Sequence, residues 1–262
     1  MTLDEKEKEF DKEVKRWAEI HKGDRVKYWG HDWVAGEGPL KSFNKNEKEN
    51  YCFEPVTDGS INAEVYENNN NGYRILFVAK EPHDREGDIE SYRHNFEFQN
   101  SPSFWGTAQR AAYGIFNNIN NYPETEINNY VDLQKTAFIN IQKYRARRST
   151  DMKYLKNWYL NYGCRELFEK QLEILNPYII ICLNICDIIW ESVEKFYKIK
   201  NYEKKFYNKF AGEQQLNERA ATSSYFTKSL LCIDCDHLSS PDIDTDLWVQ
   251  GILTAFSVWK NM

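Results

Sequence analysis

Two polar side chains follow apolar segments of the chain closely, and their residue types and positions could support catalysis. Glu81 follows the apolar run 74–79, and His237 comes shortly after the run 229–233. Carboxylates and imidazoles are the side chains that most often transfer protons or stabilise charge in enzymes. The pair therefore marks the first candidate for a catalytic site.

A third apolar run, 136–141, carries an amide near its end and a basic cluster beyond it. The amide is that of Asn140, which can both donate and accept hydrogen bonds. Basic side chains close to a binding site can contact phosphates. The cluster contains Lys143, Arg145, Arg147 and Arg148.

Four short apolar runs alternate with segments of helical periodicity. The runs are 74–79, 136–141, 178–183 and 229–233, and the main helices are expected at 105–119, 152–175, 185–198 and 244–260. This alternation predicts an α/β three-layer sandwich with a central four-stranded parallel sheet. Ligands of such sheets bind outside the carboxyl ends of the strands. The candidate residues are therefore expected to meet at one edge of the sheet.

The chain divides into an N-terminal extension, 1–72, and an α/β domain, 73–262. An amphipathic helix is expected at 4–21, followed by an irregular segment, both packed on the domain. A polar insert at 199–224 is expected at the surface. Alternatively, the insert helps to grip DNA through Lys204, Lys205, Lys209 and Arg219.

The composition limits the classes of partner. A net charge of −6 argues against a protein that coats nucleic acid, but it is compatible with an enzyme that contacts a few phosphates. No apolar signal segment or membrane span is apparent, so we expect a cytoplasmic protein that does not bind membranes. Six cysteines are scattered along the chain, and the Cys232–Cys235 pair is interpreted as buried thiols rather than a zinc or redox site.

Four segments together resemble the uracil-DNA glycosylase superfamily. Residues 75–83 are similar to its first motif, an apolar strand that runs into a loop with a proline, and 136–144 resembles the strand with the base-reading Asn. Residues 164–181 resemble the helix-Pro-strand segment, and 237–239 resemble a degraded His-Pro-Ser motif. The order and approximate spacing agree over about 73–260, and the thermophile-type iron–sulfur branch is the most similar.

The resemblance implies roles for individual residues. Glu81 corresponds to a water-activating carboxylate, and His237 to the donor that hydrogen-bonds the departing base. Asn140 corresponds to the amide that reads the base, and Phe104 to the ring that stacks on it. These residue types suit an enzyme that flips a base out of DNA and then cleaves its glycosidic bond, with positive charge developing on the sugar and negative charge on the base.

Further positions at the substrate and at the DNA backbone also follow from the resemblance. The remaining substrate-binding candidates are Lys80, Pro82, His83 and Ser239. Lys143 and the three arginines of the basic cluster would contact the DNA backbone. An amine nucleophile at Lys80, forming a Schiff base with the sugar, is an alternative.

The sequence also departs from the resembled branch. Only Cys164 matches a cluster ligand, since Tyr144 occupies another position and Cys52 is the sole cysteine in the N-terminal region. A four-thiolate cluster is therefore not expected, and neither is another cofactor or metal. His83 stands where relatives have Gly or Tyr, so the excised base could be uracil or a bulkier modified base.

The sequence thus predicts a monomeric, monofunctional DNA glycosylase whose partner is DNA containing a modified base. DNA repair and phage defence both remain open as its setting. One alternative is a catalytically inactive glycosylase fold that binds DNA or protein. Another is an unrelated nucleotide hydrolase, which the absence of a Gly-rich phosphate loop disfavours.

Overall fold

The arrangement of the chain comes from a computed structural model. The described residues are 1–28, 33–34, 38–39, 55–69, 72–80, 102–119, 130–144, 152–207, 222–235 and 245–262. Two short strands, β1 (Trp33–Val34) and β2 (Gly38–Pro39), pair with each other in a separate two-stranded sheet. The other described strands form one large sheet.

The large sheet has seven described strands in the order β3-β5-β4-β6-β9-β8-β7. Their bounds are β3 Gly59–Ser60, β4 Ile75–Ala79, β5 Thr136–Asn140, β6 Ile179–Leu183, β7 Glu203–Tyr207, β8 Thr222–Phe226 and β9 Leu231–Cys235. Strands β5, β4, β6 and β9 are mutually parallel, whereas β3, β8 and β7 are antiparallel to their neighbours. The predicted α/β fold is confirmed, and its four parallel strands form the centre of a larger mixed sheet.

The central strands are continuous apolar runs because helices cover both of their faces. Every residue of β4 and β6 is buried. In register, Phe77 of β4 lies between Phe138 of β5 and Ile181 of β6. Such runs are typical of parallel strands that never meet water.

Two helical layers enclose the sheet. The helices are α1 Leu3–Tyr28, α2 Ala63–Glu67, α3 Pro102–Asn117, α4 Met152–Asn161, α5 Cys164–Leu175, α6 Cys186–Tyr197 and α7 Thr245–Lys260. Apolar side chains of α1, α2, α4, α5 and α6 form one core with the first face of the sheet. Those of α3 and α7 form the core on the second face. None of the described helices combines the length and apolarity needed to cross a membrane.

The N-terminal helix is tied to the domain by polar contacts as well as by apolar packing. The Trp17 indole donates a hydrogen bond to the Tyr162 carbonyl at 2.5 Å. The buried Glu7 carboxylate accepts from the main-chain N–H of Ser60 at 2.7 Å, and Lys170 pairs with Glu13. Residues near the start of the chain thereby contact the edge strand β3 and helix α5.

One predicted helix, 152–175, is in fact two helices, α4 and α5. Gly163 separates them with a positive φ of 77°, a conformation that L side chains rarely adopt. A Cβ at this position would also lie 3.1 Å from the Trp17 indole nitrogen. The apolar periodicity continues across the break, which is why it did not reveal the turn.

The described ends of the predicted insert, 199–224, form two strands, and its position at the surface stays a prediction. Strands β7 and β8 pair antiparallel with each other, and β8 extends the sheet beyond β9. Lys204 and Lys205 lie in β7, the last of the described strands on this side of the sheet. Lys209 and Arg219 lie outside the described residues.

Candidate functional site

The strands that precede the predicted catalytic residues end at one edge of the sheet, which we call the carboxyl edge. It comprises the last residues of β4, β5 and β9, which are Ala79, Asn140 and Cys235, and the residues that follow β4, β5 and β6, which are Lys80, 141–143 and Asn184. In register, Ala79 lies opposite Asn140. The main-chain N–H of Gln142 donates to the Lys80 carbonyl at 3.0 Å, so the segments that follow β4 and β5 stay hydrogen-bonded to each other beyond the strands.

Asn140 is held at this edge by Asp58, which immediately precedes β3. The main-chain N–H of Asn140 donates to Asp58 Oδ2 at 2.6 Å, and its side-chain Nδ2 donates to the same oxygen at 3.3 Å. Asn140 is only 1% exposed. Asp58 therefore fixes both the position and the orientation of the predicted base-reading amide.

Lys143 and Asp58 form a buried ion pair. Lys143 Nζ donates to Asp58 Oδ1 at 2.7 Å, to Gln171 Oε1 at 2.7 Å and to the Asn140 carbonyl at 2.5 Å. Gln171 Nε2 in turn donates to Asp58 Oδ1 at 2.8 Å. We call these four residues the Asp58 network. Its hydrogen bonds compensate the charges for their removal from water.

The burial of Lys143 overturns one prediction. The prediction that Lys143 contacts the DNA backbone is wrong, because the side chains of both Lys143 and Asp58 are only 1% exposed. The ammonium has three protons, and the network uses all three. The position of Lys143 in a basic cluster suggests a surface residue, whereas its hydrogen bonds to Asp58 and Gln171 hold it in the interior.

Gln142 is the polar residue of this edge that the sequence analysis missed. It is fully buried, and neither Oε1 nor Nε2 has a hydrogen-bond partner within the described structure. An unsatisfied buried donor or acceptor costs about 1–3 kcal/mol. Its place directly after an apolar strand, two residues beyond Asn140, is the signal that could have drawn attention to it.

Phe104, the predicted stacking ring, lies in the first turn of α3 on the second face of the sheet. Its ring packs edge-on against Trp105, with centroids 4.5 Å apart, and against Phe138 at 5.8 Å. Phe138 lies two positions before Asn140 in β5, and alternate positions share a face of a strand. Stacking on the base remains a prediction for Phe104.

Lys80 is the other predicted substrate-binding residue within the described structure, and it is half-buried directly after β4. The remaining candidates lie outside the described residues, and their roles stay predictions. They are Glu81, Pro82, His83, Arg145, Arg147, Arg148, His237 and Ser239.

No protein-family model matches the chain, and no curated protein is significantly similar to it. The function must therefore be inferred from the residues and their geometry.

Proposed function

We propose that the protein is a DNA glycosylase that hydrolyses the N-glycosidic bond of a flipped uracil or other modified base. The supporting observation is that β4 and β9, which precede Glu81 and His237, end at the same edge with only β6 between them. Two strand spacings amount to about 10 Å, a distance that a single nucleotide can bridge. Glu81 follows Lys80 directly in the sequence, and His237 is two residues beyond Cys235.

The proposed chemistry assigns opposite tasks to these two side chains. Cleavage of the glycosidic bond leaves positive charge on the sugar and negative charge on the base. The Glu81 carboxylate stabilises the sugar cation and orients the attacking water, while His237 donates a hydrogen bond to the base anion. Water adds to the sugar and leaves an abasic site.

Recognition of the base is assigned to the two amides beside β4. A flipped base presents hydrogen-bond donors and acceptors along its polar edge. Asn140 is already oriented by Asp58, whereas Gln142 has both a donor and an acceptor unused. Both amides are buried in the free protein, so the edge must open for a base to reach them. A polar ligand that entered would pair the Gln142 amide and remove the penalty of its burial, which supports a binding role.

A second candidate is a glycosylase-like module that binds without cleaving. Two observations favour it: the net charge is −6, and the burial of Lys143 removes one predicted phosphate contact. Backbone binding would then depend on Arg145, Arg147 and Arg148. The carboxylate at Glu81 distinguishes the candidates, because a module that only binds DNA has no need of it.

The test is a screen for alkali-labile sites in single- and double-stranded oligonucleotides. The panel contains uracil, hypoxanthine, hydroxymethylcytosine and glucosylated hydroxymethylcytosine. We expect cleavage after alkali with at least one base, and its loss in His237→Ala. Binding without strand breaks on every substrate would favour the second candidate, and neither binding nor cleavage would reject both.

A further inference from the structure

Three cysteine side chains meet in the core of the first face, away from the Asp58 network. The Sγ atoms of Cys182 and Cys232 are 3.7 Å apart, and those of Cys186 and Cys232 are 3.8 Å apart. All three sulfurs lie within 4.8 Å of one another, and all three residues are buried. None of the five cysteines in the described structure forms a disulfide.

The fold brings these cysteines together from three different elements. Cys182 is in β6, Cys232 is in the neighbouring parallel strand β9, and Cys186 is the first residue of α6. A short turn joins β6 to α6, with Asn184 at a positive φ of 58° and its N–H bonded to the Cys235 carbonyl at 2.7 Å. This turn returns the chain over the sheet, so that Cys186 reaches the other two thiols.

The spacing of the sulfurs fits a metal ion. A Zn–S bond is about 2.3 Å long, and tetrahedral angles then separate two sulfur ligands by about 3.8 Å. The observed separations of 3.7 and 3.8 Å agree with this value. The third pair of sulfurs, those of Cys182 and Cys186, lies within 4.8 Å.

We propose that Cys182, Cys186 and Cys232 bind a thiophilic metal ion, with Zn²⁺ as the natural occupant. Thiolate ligands select soft or borderline ions such as Zn²⁺ and Cu⁺ over Mg²⁺ and Ca²⁺. On binding, each thiol that coordinates releases its proton to solvent, and no electron is transferred. The ion is structural: it links the ends of β6 and β9 to the start of α6, just behind the carboxyl edge.

One acidic side chain lies next to the three cysteines. Asp234 shares a face of β9 with Cys232, and its Oδ1 accepts from the Cys186 N–H at 3.4 Å, so a carboxylate lies beside the three cysteines without belonging to the group.

The test measures metal content in the full chain, without DNA. The protein is purified with a non-thiol reductant, incubated with excess Zn²⁺, separated from free metal and analysed by plasma mass spectrometry. We expect about one tightly held ion per chain in the wild type. The content should fall to background in Cys182→Ser and Cys232→Ser, and should be unchanged in Cys164→Ser, a buried thiol outside the group.

A second measurement on the wild type guards against variants that fail to fold. Loading with Co²⁺ should produce sulfur-to-cobalt charge-transfer absorption, and Zn²⁺ should displace it. Metal at background in the wild type, or equal metal in Cys232→Ser and the wild type, would overturn the proposal. So would a mass two hydrogens lower in place of bound metal, because it would indicate a disulfide.

Discussion

The Asp58 network and Gln142 lie side by side at the carboxyl edge, yet they bury polar groups in opposite ways. Gln171 in the network and Gln142 beyond β5 carry the same amide and are similarly inaccessible. The Gln171 amide both donates and accepts hydrogen bonds, whereas the Gln142 amide lacks partners within the described structure. A satisfied network fixes a structure, while an unsatisfied amide is suited to a ligand.

The largest effect is expected from Lys143→Met, which leaves the Asp58 charge buried without its ion-pair partner. The free energy of unfolding should fall by about 3–5 kcal/mol, measured by urea denaturation. Lys195→Met is the matched control, because Lys195 is 68% exposed and its ion pair with Glu169 is worth about 1 kcal/mol or less. Equal effects of the two substitutions would contradict the structural role of the network.

The next largest effect is expected from Gln171→Leu. The substitution removes one acceptor from Lys143 and one donor from Asp58, so stability should fall by about 1–3 kcal/mol in the same denaturation assay. A stability equal to that of the wild type would mean that the network does not depend on this amide.

Gln142→Leu should change the stability of the DNA-free protein in the opposite direction from Gln171→Leu. Leucine of similar size removes an unsatisfied amide, so stability should stay unchanged or rise by about 1 kcal/mol. Base release should nevertheless slow about tenfold or more, since one hydrogen bond to the base is worth about 1.5 kcal/mol. If Gln142→Leu lowered the free energy of unfolding as much as Gln171→Leu does, the proposed difference between the two glutamines would be contradicted.

The smallest effect is expected from Glu169→Gln, in a charge network that is partly open to solvent. Although burial alone would raise the pKa of Glu169, hydrogen bonds from Lys195, Arg165 and Ser192 lower it overall. A lowered pKa contributes stability above the pKa of the unfolded chain, about 4.3, and this contribution is lost as the pH falls through the folded value. The difference between wild type and variant should therefore be about 1 kcal/mol or less at pH 7, and should vanish in acid.

Local patterns predicted the apolar framework better than the polar site. The four parallel strands follow from uninterrupted apolar runs, because burial on both faces leaves a direct record in the sequence. The two-residue strand β3 is too short to produce such a run, so the sequence does not distinguish Asp58 from the irregular segment around it. The basic cluster predicts an exposed Lys143, because it gives no sign that one member has a buried partner far along the chain.

The cysteines illustrate the same limit. The sequence suggested a comparison of Cys232 with Cys235, three positions away, and both are buried as expected. The neighbours of the Cys232 sulfur are instead Cys182 and Cys186, about fifty positions earlier. Only the pairing of β6 with β9 and the turn into α6 bring them together.

The central claim is that the carboxyl edge presents one nucleotide to Glu81 for hydrolysis. The most direct test is the single-turnover rate of base release by the wild type and by Glu81→Gln, on the base identified in the oligonucleotide screen. We expect a loss of about 100-fold or more in Glu81→Gln at unchanged melting temperature, and no loss in Glu173→Gln, an exposed carboxylate on α5. A folded Glu81→Gln protein that releases the base at the wild-type rate would contradict the claim.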